Sequence, residues 1–427
     1  MKDPEKKKID YVILKISMND RFKRPLMIVG FFLVVAALAY GLYWMFFRPL
    51  PSPVAPTQPA QPSGALPSAG TGRPQGATTT EIGEGGLPVA PAQPFVPTIP
   101  TGIPQAPRGR VIANNISKAI SVSQSGQIRG YNSDDGRFYR ITPEGERVPL
   151  SAQVFNNVES VNWGKSTDKA VINFPDGSNI LYDFANDRQV TLPKHWQDFE
   201  FSPDDDKIVA KSIGNNVDNR FLVVANPDGT NARAIEDLGN NFDKVQSSWS
   251  PNNQMVAYSF TGEPLGADRQ QIIFLGQNQE NFKGLIVEGR GFIPKWAPSG
   301  QNILYSVYNR GTGYIPTLWV SGASSDNMNS NRVKLQLNTW ADKCAWQNDE
   351  SLICGVPVVL DQGAALQRSL SQSTPDEIWK INLKTGEKIN LGQPVANVSI
   401  ENISITPDGK SAIFNDVNTG RLIRYDL

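Results

Sequence analysis

The segments SWSPNNQMVAYSF (residues 248–260) and KWAPSGQNILYSV (residues 295–307) decide the fold. Each has a Trp, a Pro two residues later, a polar turn, and an apolar run that reaches a Tyr. A self-similar motif at a spacing of 20–50 residues is the signature of a repeat architecture. Anchored on Trp249 and Trp296, further copies emerge. EFSPDDDKIVAKS puts Phe201 at the Trp position and Pro203 at the Pro. SITPDGKSAIFND does the same with Ile405 and Pro407. NWGKSTDKAVINF and AWQNDESLICGVP centre on Trp163 and Trp346 without the proline, and SVSQSGQIRGYNS around Val122 keeps only the turn glycine, Gly126. The anchors make seven copies, 38 to 59 residues apart.

Each copy continues alike. After the apolar run come a variable loop, a second alternating stretch, a short turn and a third. Examples are RFYRI-TPEGE-RVPL, FLVVANPDGTNARAI and DEIWKINLKTGEKINL. Alternation of period two, rich in Val, Ile, Tyr and Phe, reads as strand. In the SPDG-type turn Pro presets φ, Asp bonds its own backbone and Gly accepts positive φ. Four short antiparallel strands per unit, repeated about every 45 residues, make a propeller blade. The aromatic or aliphatic anchors Trp163, Phe201, Trp249, Trp296, Trp346 and Ile405 are expected to fill the wedge against the neighbouring blade, a structural role. The last unit, ending in RLIRYDL, lacks a fourth strand, whereas RVIANN from Arg110 resembles a fourth strand with no unit of its own. Val111 and Ile112 are therefore expected to complete the last blade and leave no open sheet edge.

On Trp249-Ser250-Pro251, Trp296-Ala297-Pro298-Ser299-Gly300, Phe201-Ser202-Pro203-Asp204 and Ile405-Thr406-Pro407-Asp408-Gly409, residues 110–427 resemble the TolB-type, WD-repeat-like β-propeller family. The resemblance implies a bacterial protein-binding scaffold that engages peptides or domains on a propeller face or at the channel mouth. TolB itself carries a small α/β domain before its propeller. A different N-terminal region stands in that place here, so the chain reads as a membrane-anchored variant and not as TolB.

That region begins with eight Lys/Arg against four Asp/Glu over residues 1–25, a net of +4 within a chain of formal net charge zero. The stretch LMIVGFFLVVAALAYGLYWMFF (26–47) has 22 residues without a charge, long enough to cross a hydrocarbon core of about 30 Å. Tyr40, Tyr43 and Trp44 gather at its far end, where amphipathic rings favour the interface. By the positive-inside rule the N-terminus is cytoplasmic and the remainder lies outside the inner membrane. A cleaved signal peptide with Ala37-Leu38-Ala39 as its site is the competing reading. The long basic region and the apolar run beyond Ala39 favour an anchor. From residue 48 to 109 the chain holds close to half of its 32 prolines, mixed with Gly, Ala, Ser and Thr. Such a composition does not bury enough surface to offset ordering entropy, and reads as an extended, disordered tether.

The expected fold is thus all-β: a seven-bladed β-propeller of four-stranded antiparallel blades (110–427), preceded by a basic cytoplasmic tail (1–25), one transmembrane helix (26–47) and a disordered Pro-rich tether (48–109). The zero net charge gives no basic field for nucleic acid. One histidine, His195, is present, so no multi-histidine metal site is available and any Ser–His–Asp or Cys–His device would depend on that residue. Asp204, Asp205 and Asp206 sit in a blade turn and read as solvated turn residues, without the alternating ligands of a calcium loop. No cofactor, metal or catalytic residue is expected, and the chain is expected not to be an enzyme. Cys344 and Cys354 flank a hairpin turn nearly opposite one another. An intrablade disulfide is expected, with two buried free thiols as the alternative.

The function that follows is a membrane-tethered, extracytoplasmic scaffold that presents its propeller to a protein or peptide partner. A structural subunit of a secretion or pilus-type envelope complex is the second reading. A propeller glycan-active enzyme is the third, since a carboxylate pair alone suffices for that chemistry.

Overall fold

The computed structural model describes residues 30, 31, 33–41, 43, 108–114, 118–280 and 282–427. The chain divides into two units, residues Met1–Val96 and Pro97–Leu427.

In the second unit the alternating stretches form seven antiparallel sheets of four strands each. Blade 1 is Lys118–Val122, Ile128–Asn132, Arg137–Ile141 and Arg147–Pro149; blade 2 is Ser160–Trp163, Lys169–Asn173, Asn179–Asp183 and Arg188–Leu192. Blade 3 is Trp196–Phe201, Ile208–Ile213, Arg220–Ala225 and Arg233–Asp237; blade 4 is Val245–Ser247, Met255–Ser259, Gln270–Gly276 and Leu285–Val287. Blade 5 is Arg290–Trp296, Asn302–Tyr308, Thr317–Gly322 and Val333–Lys334; blade 6 is Cys344–Asn348, Ser351–Pro357, Asp376–Asn382 and Lys388–Gly392. Blade 7 takes Ile400–Ile405, Ser411–Asp416 and Leu422–Asp426 from the C-terminus and Gly109–Ala113 from the other end of the domain. Val111 pairs with Ile423, and Ile112 packs with Ile128, Ile141, Ile413 and Leu422, so the closing strand carries part of the core.

The middle strands of the blades are the most deeply buried, as in Met255–Ser259 and Ser411–Asp416, where every residue is buried. The core is a ring of apolar clusters, most of them shared between adjacent blades. One joins Val171 and Leu181 of blade 2 to Phe201 and Ala210 of blade 3. Another joins Leu304 and Leu318 of blade 5 to Trp346 and Leu352 of blade 6. This follows from sheets whose two faces are both covered: each blade buries one face on each neighbour.

In the first unit, helix is described at residues 30, 31, 33–41 and 43, and the side chains of Phe31, Leu33, Val34, Val35, Leu38, Tyr40 and Tyr43 are exposed. Among the described residues no helix is long and apolar enough to cross a membrane. The expected 22-residue span is thus seen only in part. The cytoplasmic tail and the Pro-rich tether, up to residue 107, lie outside the described residues.

Candidate functional site: the mouth of the axial channel

The first strands of blades 6, 7, 1, 2, 3 and 4 contact one another in succession, so the first strands form the inner ring around the axis. Each is a sheet edge: one side pairs with the second strand and the other faces the channel. First strands of six blades line one cavity of about 1020 Å³, together with Pro203, Pro251, Pro298 and Pro407 from the turns that follow them. The cavity therefore opens at the end of the channel where the SPDG-type turns lie.

Those turns are built alike. The residue four positions after the anchor takes a left-handed conformation in five blades: Gly126 (φ 84°), Asp205 (φ 61°), Asn253 (φ 60°), Gly300 (φ 70°) and Gly409 (φ 68°). Gly, Asn and Asp are the residue types that tolerate this region. At Gly300 a side chain would also meet the backbone nitrogen of Asn252 at 2.7 Å. The turns bond to each other around the mouth. Asn252 Nδ2 donates to Gly300 O (3.0 Å), Ser299 N to Asp349 Oδ1 (3.0 Å) and Gln347 Nε2 to Gly409 O (2.7 Å).

The densest junction joins blades 2 and 3. The carboxylate of Asp205 accepts from the backbone N–H groups of Lys165 (2.6 Å), Ser166 (2.9 Å) and Thr167 (2.7 Å), and from the hydroxyls of Ser166 and Thr167. Burial alone would raise this carboxyl, but the converging N–H groups hold it below the usual carboxylate range. Asp204 and Asp206 are exposed as the sequence implied, whereas Asp205 is buried. The turn is thus not simply solvated. The reason is the left-handed φ, which turns the side chain away from solvent toward blade 2.

Five anchors, Trp163, Phe201, Trp249, Trp296 and Ile405, line the cavity, and Trp346 does not. The indole N–H groups of Trp163, Trp296 and Trp346 reach back to the preceding blade, donating to Ala119 O (2.6 Å), Ser248 Oγ (3.0 Å) and Lys295 O (3.1 Å). Trp249 bonds Asn253 of its own turn (2.9 Å). The same residues therefore fill the inter-blade wedge and form the cavity wall. Tyr258 joins that wall; burial pushes its phenol up, and its hydroxyl donates to Gln246.

Three charged side chains line the cavity. Lys165 pairs with Glu200 across the junction of blades 2 and 3, Nζ to Oε1 2.7 Å. Lys295, from the first strand of blade 5, donates to Cys344 O of blade 6 and to Ile403 O of blade 7 (3.2 Å). It pairs with no carboxylate among the described residues, and burial pushes its amine down to about 8, with Asp342 opposing the shift. Glu200 is the one carboxylate among the lining residues, so the cavity does not hold a pair of converging acids. Among the described residues no group of three or more His, Cys, Asp or Glu side chains converges to hold a metal. His195 is exposed on the connection between blades 2 and 3.

Cys344 and Cys354 lie directly opposite in the blade 6 hairpin, with Cα atoms 4.0 Å apart and an S–S distance of 2.16 Å. Both are fully buried in the cluster shared by blades 5 and 6.

Sequence reasoning missed Lys295, Asp205 and the Lys165–Glu200 pair. The available signal was Lys295 itself, a cation directly before an anchor and after the apolar run Phe292-Ile293-Pro294, where the matched copy has Ser248.

Solved structures share this architecture. An oligogalacturonate lyase in complex with manganese superposes with a TM-score of 0.52 at 13% identity, over 75% of this chain and 91% of that chain. The β-propeller domain of Cps50 (Swd1) from Myceliophteria thermophila superposes with a TM-score of 0.50 at 12% identity, over 75% of this chain and 99% of that one. The shared fold is the β-propeller. No family model matches the chain, and no curated protein matches it in sequence. The TolB-type resemblance accordingly narrows to the seven-bladed propeller fold. The expectation that the chain is not an enzyme is corrected: the lyase is an enzyme built on a propeller, so the fold does not exclude an enzyme. At 13% identity the likeness is one of fold.

Proposed function

We propose that the chain is a membrane-tethered scaffold whose propeller binds a protein or peptide partner at the channel mouth, outside the inner membrane. The cavity carries this reading: a concave, aromatic-walled and proline-rimmed space of about 1020 Å³ with few charges, the character of a recognition site. The membrane part rests on the uncharged 22-residue stretch with its basic flank and on the exposed apolar side chains of its helical residues. A helix apolar all round calls for apolar surroundings.

Purification of the full chain from membranes in mild detergent, with and without in-cell crosslinking, tests the reading. A partner crosslinked to residues of the mouth is expected, and Trp296→Ala is expected to weaken its recovery. Recovery of the chain from the aqueous fraction without detergent overturns the tether. Crosslinks that avoid the mouth altogether overturn the site.

A further inference from the structure

We propose that the channel mouth receives the free carboxyl terminus of a partner polypeptide whose last residues are apolar, with the terminal carboxylate on the ammonium of Lys295. The inference rests on the scaffold reading and names the chemistry of its ligand.

Charge complementarity comes first. Of the three charged side chains in the lining, Lys165 and Glu200 neutralise each other, and Lys295 leaves a net +1. Its ammonium has three N–H donors, and two are used on the carbonyls of Cys344 and Ile403. The third donor and the charge remain for a ligand. A single ammonium acts as a point charge, and the one positive charge left in the lining matches a carboxylate's single negative charge more closely than the larger charge of a phosphate monoester.

Geometry then selects a chain end. Lys295 leaves the first strand of blade 5 and bonds to the first strands of blades 6 and 7, so its side chain reaches past the neighbouring blade along the inner face of the channel. A polypeptide entering from the turn side meets that ammonium end-on. Behind the carboxylate, the half-buried Trp296, Ile293 and Ile405 offer apolar and aromatic wall to the last side chains. The inner strands are sheet edges, and the carbonyls that hold Lys295 show that their backbone groups face the axis. An extended backbone finds partners along such an edge. The volume of about 1020 Å³ lies just above the roughly 300–1,000 Å³ range of small-ligand sites, room for a few residues.

Arrays of heptapeptides test this, with all twenty residues at each of the last two positions, synthesised once as free acids and once as carboxyl-terminal amides. They are probed with the full chain in detergent. Binding is expected in the acid array, for apolar last residues, and at least about tenfold weaker in the amide array. Lys295→Gln, checked for an unchanged near-ultraviolet spectrum, is expected to abolish the acid preference, and Lys295→Arg to keep it. If the glutamine variant does not fold, the arginine variant and the amide array still decide.

The acid preference is also expected to fade as pH rises through about 8, where burial places the Lys295 amine, because the ammonium is present below that value and lost above it. The charged or titratable groups facing it are Asp342, ahead of blade 6, and Lys165, Glu200 and Tyr258 in the cavity wall. A pH effect that persists in Lys295→Gln would assign it to those groups and overturn this assignment. Equal binding of acids and amides, or acid binding that phenylacetate matches in affinity, overturns the peptide terminus. Silence of both arrays alongside a crosslinked partner at the mouth overturns this inference and leaves the scaffold reading standing.

Discussion

At the scale of single residues, two buried carboxylates behave in opposite ways. Asp376 lies between blades 6 and 7: its Oδ2 accepts from Lys343 Nζ (2.7 Å) and from Ile400 N (2.6 Å), while Oδ1 has no partner. Burial pushes this carboxyl up, against the pull of Lys343. Lys343→Met leaves the charge uncompensated and is expected to cost about 3–5 kcal/mol at pH 7. For an acid raised in the folded state, the penalty falls on the ionised form and lifts as pH drops, so the loss is expected to shrink at pH 5. Urea titrations at the two pH values check this, and an equal loss at both sinks the assignment. Asp205 is the converse: its folded carboxyl is held low, so its stabilisation is present above the unfolded value of about 3.8 and is lost as pH falls below it. Asp205→Asn keeps a residue suited to the left-handed φ but removes the charge-assisted bonds. It is expected to cost about 2–3 kcal/mol near pH 6 and less as pH falls below the unfolded value, read as a gap between the two melting temperatures that narrows with acid.

At the scale of elements, the closing strand and the blade 6 hairpin carry sharp consequences. Gly109–Ala113 covers the edge of Leu422–Asp426, and Ile112 enters the core of blade 7. A chain beginning at residue 118 is expected to be at least about 3 kcal/mol less stable than one beginning at residue 108. The lost strand removes a buried side chain worth about 1.5–3 kcal/mol and exposes a sheet edge. Matched denaturation midpoints for the two chains would show that the ring does not depend on this closure. In the hairpin, Cys344 opposes Cys354 at a sequence separation of 10. A bond there closes a short loop and stabilises by about 2–3 kcal/mol in the chain-entropy view. Intact-mass measurement after alkylation under denaturing, non-reducing conditions is expected to show no added alkyl group; two added groups would mean free thiols.

At the scale of the whole molecule, the prediction concerns topology. The basic tail, the uncharged stretch and the Pro-rich segment together place the propeller outside the inner membrane in our reading. Protease added to spheroplasts is expected to cut between residues 48 and 107, where the composition is rich in Pro, Gly, Ala, Ser and Thr. It should release a compact fragment that keeps the propeller's melting transition. Protection of the propeller until the membrane is lysed would reverse the assignment.

The sequence by itself determined the blade. Strand alternation, the Pro-Asp-Gly turn chemistry and the anchor spacing are local properties, repeated seven times in this chain. Repetition turns weak local signals into a ring of known number, and the unpaired strand at each end of the domain dictates how the ring closes. The anchors were legible as wedge residues for the same reason. That five of them also wall a cavity was not legible, because the channel exists only when all blades are in place. Lys295 meets the carbonyl of Ile403 across 108 residues of sequence, and Asp205 meets the turn of blade 2 about 40 residues earlier. Neither contact has a local signature: a lysine on a strand and an aspartate in a turn are ordinarily solvated. Only the tertiary structure, by closing the ring, makes one a cation without a carboxylate partner in the channel cavity and the other a clasp between blades.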